Sequence, residues 1–193
     1  MTAASQLSPV IRIVDDDDRV RESVAFVLQI DGHQTEEYES AEDFLKFSDF
    51  ERPGCIVLDI RMPGMSGLEL QLELKNRGST IPILFLTGHG DMAAAVMALK
   101  RGAADFVAKP IEPEVLQSSV RNLVHWHCSL CRELDMRRKA RERFNTLTPK
   151  EQEICRRIAA GALNKHSAIE IAECLKMLEN LPHVIFPITA HRD

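Results

Sequence analysis

Cys55-Ile56-Val57-Leu58-Asp59-Ile60-Arg61-Met62-Pro63-Gly64 carries one carboxylate at the end of a short apolar, β-branched run and follows it with a Pro-Gly turn. Four apolar residues between Pro53-Gly54 and Met62-Pro63-Gly64 predict a strand buried on both faces, as in a parallel sheet. Asp59 then stands at the strand's C-terminal end. In an open parallel α/β sheet ligands and chemistry collect at that edge, so an acid placed there is a candidate site residue as well as a turn former.

The same pattern recurs elsewhere. Arg12-Ile13-Val14 runs into Asp15-Asp16-Asp17-Asp18, Ile81-Pro82-Ile83-Leu84-Phe85-Leu86 ends at Thr87, and Asp105-Phe106-Val107-Ala108 ends at Lys109-Pro110. If these runs are parallel neighbours, Asp15, Asp16, Asp59, Thr87 and Lys109 meet at one edge. Three carboxylates there repel, each pair by about 4 kcal/mol at ~4 Å and an effective dielectric of ~20, and a divalent cation relieves the repulsion. All-oxygen ligands suit Mg²⁺ or Mn²⁺.

Between the strands lie amphipathic helices. Val20, Val24, Val27 and Leu28 share one face of a helix that stops near Gly32, and the acidic run before it suits the positive end of that helix. A second strand is predicted over Gln34–Tyr38. Ser40 caps a helix whose buried side is expected to be Phe44, Leu45 and Phe47, and Ser66 with Glu69 forms a capping box for a third that ends near Gly78. Thr87 to Asp91 reads as a loop, and Met92 to Arg101 as a helix closed by Gly102. Alternating strands and helices imply a parallel sheet covered on both faces.

The ordered set of acid pair, strand-end Asp before Met-Pro-Gly, Thr and Lys-Pro resembles the receiver domain of two-component response regulators over roughly residues 10–125. The resemblance implies a doubly wound five-stranded parallel sheet of the flavodoxin-like type. It implies Asp59 as phospho-acceptor from a sensor histidine kinase, with Lys109 and Thr87 contacting the phosphoryl oxygens and Thr87 and Phe106 as the switch pair. It also implies a Mg²⁺ (or Mn²⁺) site in which Asp16 and Asp59 are direct ligands, Asp15 acts through water and Arg61 offers its backbone carbonyl. The readout surface would be the face made by Met92 to Arg101, Asp105 to Ala108 and the helix after Pro113. A homodimer on phosphorylation is implied too. A dehalogenase-type phosphatase also uses a strand-end Asp with Mg²⁺, but needs a second Asp two residues on, and position 61 is Arg.

The helix after Pro113 is long. Leu116, Val120, Leu123, His127, Leu130 and Leu134 repeat at 4, 3, 4, 3, 4, a short heptad seam that suits a coiled coil or a linker against a partner. Inside it, His125-Trp126-His127-Cys128-Ser129-Leu130-Cys131 has Cys-x-x-Cys spacing without the second ligand pair that a closed zinc site requires. The expected organisation is a receiver over 1–125, a linker helix over 126–146 and a small all-α domain over 147–193.

Charge divides the same way. Residues 121–166 hold eleven Lys and Arg against five Asp and Glu, so the net −5 splits into a basic stretch of +6 and an acidic remainder of −11. In that stretch Thr148, Pro149 and Glu151 open a helix with a capping box, whose apolar face is Ile154, Cys155, Ile158 and Ala159. Leu147 to Lys165 resembles the opening of the LuxR-type helix-turn-helix domain of FixJ- and NarL-like regulators, which implies transcriptional control through DNA. After Lys165 the pattern departs. His166-Ser167-Ala168-Ile169 is inserted before Glu170-Ile171-Ala172-Glu173, and Pro182 and Pro187 fall where a recognition helix is expected, with no Lys or Arg between Lys176 and Arg192. A receiver that acts as a phosphate sink or partner-binding module, without specific DNA binding, is therefore the alternative. No stretch suits a membrane span or a secretory leader, and five cysteines lack disulfide-framework spacing, so a cytoplasmic protein is expected.

Overall fold

The computed structural model describes residues 8–88 and 92–159. The chain falls into two units that part between Met136 and Arg137. The first contains a five-stranded, all-parallel sheet in the order β2-β1-β3-β4-β5, with β1 at Val10–Val14, β2 at Gln34–Tyr38, β3 at Gly54–Asp59, β4 at Ile83–Thr87 and β5 at Asp105–Ala108. Helices α1 (Asp18–Ile30), α2 (Ala41–Phe47), α3 (Gly67–Asn76), α4 (Met92–Lys100) and α5 (Pro113–Thr146) follow the five strands in turn. The doubly wound sheet expected from the alternation of strands and helices is the one observed.

Period-two alternation sends successive strand residues to opposite faces, and each face has its own core. On one side Ile11, Ile13, Val57, Leu84, Leu86 and Val107 pack against Val24 and Leu28 of α1 and Leu116 and Val120 of α5. On the other, Val14, Ile56, Leu58 and Phe85 pack against Phe44 of α2, Leu70 and Leu74 of α3 and Ala98 of α4. The central strands β1, β3 and β4 are buried at every position, which is why β3 and β4 read as apolar runs up to their last residue and β1 as one interrupted only by Arg12. Helix starts agree with the sequence: Asp17, Ser40 and Ser66 each accept a main-chain N–H, and Ser66 with Glu69 closes the capping box.

Two packing expectations need correcting. Phe47 does not join Phe44 in the core but is 65% exposed, since α2 spans only Ala41–Phe47 and its buried residues are Ala41 and Phe44. The heptad seam of α5 is not a free coiled-coil stripe either. Leu116, Val120 and His127 are buried and Leu123 packs against the same core, so the spacing serves the first unit's own sheet, whereas Leu134 is 44% exposed. Both uses need the same spacing, because a 3-4 repeat states only that a helix has one apolar face.

In the second unit α6 runs Pro149–Ala159, opened by Thr148, whose hydroxyl faces Glu151 as the capping box requires. Gln152 Nε2 donates to the carbonyls of Phe144 and Leu147, tying the helix to the turn before it. The segments after residue 159, including the insertion after Lys165 and the prolines at 182 and 187, lie outside the described residues. No helix among the described residues is long and apolar enough to cross a membrane.

Candidate functional site

Parallel strands carry their C-terminal ends to one edge of the sheet, so the order β2-β1-β3-β4-β5 fixes which polar residues meet there. β1 delivers Asp15, β3 delivers Asp59, β4 delivers Thr87 and the segment after β5 delivers Lys109. Lys109 lies 50 residues from Asp59 and 94 from Asp15, yet its Nζ donates to Asp59 Oδ1 at 2.6 Å and to Asp15 Oδ2 at 2.8 Å. Asp15 and Asp59 are nearly buried, at 1% and 7% exposure.

Each carboxylate is held on its other oxygen as well. Asp59 Oδ2 accepts the Arg61 N–H at 2.6 Å, and Asp15 Oδ1 accepts the Asp17 N–H at 2.9 Å. Lys109 is positioned by its own N–H, which donates to the Thr87 carbonyl at 2.7 Å, and the Lys109-Pro110 peptide that follows is cis. Burial pushes the Asp59 carboxyl above its ordinary range and the negative charge of Asp15 pushes the same way, while Lys109 and the Arg61 N–H work against them. Burial works against the charge on Lys109, but its hydrogen bonds to Asp15 and Asp59 and their charges outweigh it and raise its pKa. An acid held above its usual pKa, beside a like charge and a lysine, makes Asp59 the candidate site residue of this edge.

The remaining predicted residues surround this pair at different removes. Thr87 is buried at the end of β4, one position beyond Leu86, the residue that pairs with Asp59. Phe106 is half-buried on β5 opposite Phe85 and packs against the core on the α2–α4 face. Asp16 is exposed, and among the described residues no three His, Cys, Asp or Glu side chains stand together as a metal cluster. The structure thus brings Asp15, Asp59 and Lys109 into contact and leaves the Asp16 side chain outside that contact.

Three residues that the sequence did not single out shape the site. Arg21 of α1 is buried and donates from Nη1 to the Asp15 carbonyl at 2.5 Å, and Nη2 pairs with Asp18. Glu42 accepts the Met65 N–H at 3.0 Å and so ties α2 to the turn after Asp59. A Cβ on Gly67 would lie 2.1 Å from the Asp59 carbonyl oxygen, so only glycine lets the first turn of α3 approach β3 this closely. The Gly64 and Gly67 pair flanking Met65-Ser66 was the available signal, but a glycine next to a helix start more often marks a turn.

Residues 11–121 match the response regulator receiver domain family. The chain belongs to the response regulators. It is 38% identical to the transcriptional regulatory protein FixJ of Azorhizobium caulinodans over 161 residues, covering 83% of this chain and 76% of that one. To the response regulator protein TodT of Pseudomonas putida it is 36% identical over 167 residues, or 86% and 74% of the two chains. Among solved structures, response regulator StyR superposes with a TM-score of 0.76 at 34% identity, over 91% of this chain and 90% of that one. Full-length FixJ from B. japonicum gives 0.59 at 31% identity, over 90% and 87%. The FixJ-type resemblance read from the motifs is therefore the one the comparisons show, and the first unit is the receiver of a two-component regulator.

Proposed function

We propose that this receiver accepts a phosphoryl group on Asp59 from the phosphohistidine of a sensor kinase. The observation that carries the reading is the Lys109 ammonium bridging Asp59 Oδ1 and Asp15 Oδ2 at the C-terminal edge of the sheet. As the donor's P–N bond breaks and an O–P bond to Asp59 forms, the Arg61 N–H holds the carboxylate in place, and catalysis rests on positioning and charge. Lys109 then turns from Asp59 toward the phosphoryl oxygens as a point charge on a flexible stem, and the Thr87 hydroxyl hydrogen-bonds another. The new charge of about −1.5 to −2 draws Thr87 inward, and Phe106 follows. The chain consumes one phosphoryl group per copy and has no separate substrate to turn over.

The donors available at this edge are all oxygen, and two acids already share one cation there, so the residues fit a hard divalent ion. The carboxylates of Asp15, Asp16 and Asp59 and the Arg61 carbonyl would hold Mg²⁺ (or Mn²⁺), which when bound supplies neutralisation of the phosphoryl oxygens. Treatment with a small phosphodonor and Mg²⁺ should add the mass of one phosphoryl group to the intact chain, and EDTA or Asp59→Asn should abolish it. A variant Asp59→Asn that still gains phosphate at the wild-type level means that the acceptor is another residue.

The output reading is transcriptional regulation, as in the FixJ and TodT relatives, with homodimer formation through the α4-β5-α5 face on phosphorylation. The sequence after Lys165 favours a second reading in which this chain titrates phosphate or partners without reading bases. Base specificity comes from a recognition helix in the major groove, whereas phosphate contacts only orient it. Pro182 and Pro187, with no Lys or Arg between Lys176 and Arg192, supply neither that helix nor its charge. In a gel shift we expect weak, salt-sensitive and sequence-indifferent binding from the basic 121–166 stretch. A nanomolar, sequence-selective shift at physiological salt would overturn the second reading.

A further inference from the structure

At the opposite edge of the sheet from Asp59, α5 lays a single histidine across the feet of two strands. His127 is 2% exposed. Its Nδ1 accepts the N–H of Gly54, the first residue of β3, at 3.0 Å. An acceptor Nδ1 carries no proton, so Nε2 is the N–H nitrogen, and it lies 3.3 Å from Thr80 Oγ1 in the approach to β4 and 3.5 Å from Cys131 Sγ one turn along α5. β3 and β4 are the strands that end in Asp59 and Thr87. The Gly54 end of this contact cannot be rebuilt with a side chain. Its φ is +147° and a Cβ there would lie 1.8 Å from the Val10 carbonyl oxygen.

We propose that His127 is an acid-released fastening that, while neutral, holds α5 to the feet of β3 and β4 and lets go when its Nδ1 takes a proton. Protonation makes Nδ1 a donor facing the Gly54 N–H, so that hydrogen bond is lost and both groups are left buried without a partner. The positive charge also forms in a dry place. The groups at the ring are the Gly54 amide that opens β3, the Thr80 hydroxyl before β4 and the Cys131 thiol on α5 itself, and the Arg12 guanidinium of β1 acts on it by charge. Burial holds the imidazole below its ordinary value, and the Arg12 charge adds to it.

A histidine whose pKa is lower folded than unfolded contributes stability that is complete above the unfolded value of about 6.5 and is lost as pH falls toward the folded value. α5 is the helix that continues past Met136 into the second unit, so loosening it at His127 acts on the receiver's outgoing connection rather than on its acceptor.

The test is equilibrium unfolding of the full chain with parallel NMR of the imidazole nitrogens, comparing wild type with His127→Asn, whose Oδ1 can accept the Gly54 N–H but cannot titrate. Between ~pH 7.5 and ~pH 5.5 the wild-type unfolding constant should rise by up to about ten-fold more than that of the variant, which corrects for the other histidines. In the wild type Nδ1 should carry the shift of an unprotonated acceptor at neutral pH. Equal pH slopes for the two chains, or an imidazole that titrates at its ordinary value or above, would overturn the proposal. If the variant does not fold, the wild-type imidazole titration decides it alone.

Discussion

Lys109→Met should slow phosphoryl uptake by about a hundred-fold, the order seen when one preorganised charge donor is removed from a site of this kind. The same change should destabilise the receiver by about 2 kcal/mol at neutral pH, because two hydrogen bonds between charged groups vanish and Asp15 and Asp59 are left facing each other. Asp59 already sits above its ordinary carboxyl range, chiefly through burial, and loss of the ammonium pushes it further. A carboxyl whose folded pKa is raised contributes stability that is complete below its unfolded value of about 3.9 and is lost as pH rises through the folded value. The gap between Lys109→Met and wild type should therefore widen from acid to neutral pH. Urea unfolding at two pH values with phosphodonor kinetics checks both parts, and wild-type uptake in the variant would remove Lys109 from the mechanism.

Arg12→Met should cost about 3 to 5 kcal/mol while leaving the acceptor chemistry in place. Arg12 is fully buried in the middle of β1, on the face toward α2 and α3. Its guanidinium donates to Ser48 Oγ at 3.0 Å, to the Arg52 carbonyl at 2.9 Å and to the Asp49 carbonyl, so one side chain satisfies the loop between α2 and β3. Burial lowers its pKa, and the charges of Glu36 and Asp49 work against that loss. Methionine fills much of the stem's volume but leaves those carbonyls unsatisfied. A urea midpoint unchanged from wild type would show that water replaces the guanidinium at no cost.

These two residues also show where sequence reading reached and where it stopped. Asp59 and Lys109 were legible because each closes an apolar run in a chain of alternating strands and helices, and a parallel sheet must bring such ends to one edge. Arg12 was not, although a charge inside the run Val10–Val14 is a signal, since a central parallel strand has no wet face. His127 was hidden for another reason. His125-Trp126-His127-Cys128 invites comparison with metal ligands nearby in sequence, yet its partner Gly54 lies 73 residues away. The α5 seam was misassigned because its spacing fits a sheet and a second helix equally well. Gly67 needed coordinates, since what forbids a side chain there is the Asp59 carbonyl of another element.

The phosphoryl group is expected on Asp59 and on no other acid of the edge. An aspartyl phosphate is an acyl phosphate, so borohydride reduces it to homoserine and marks the residue permanently. The full chain would be treated with phosphodonor and Mg²⁺, trapped with borohydride, digested and sequenced by tandem mass spectrometry. Homoserine is expected at position 59 alone. Homoserine at position 15 or 16, or at no position in a chain that has gained the phosphoryl mass, would contradict it.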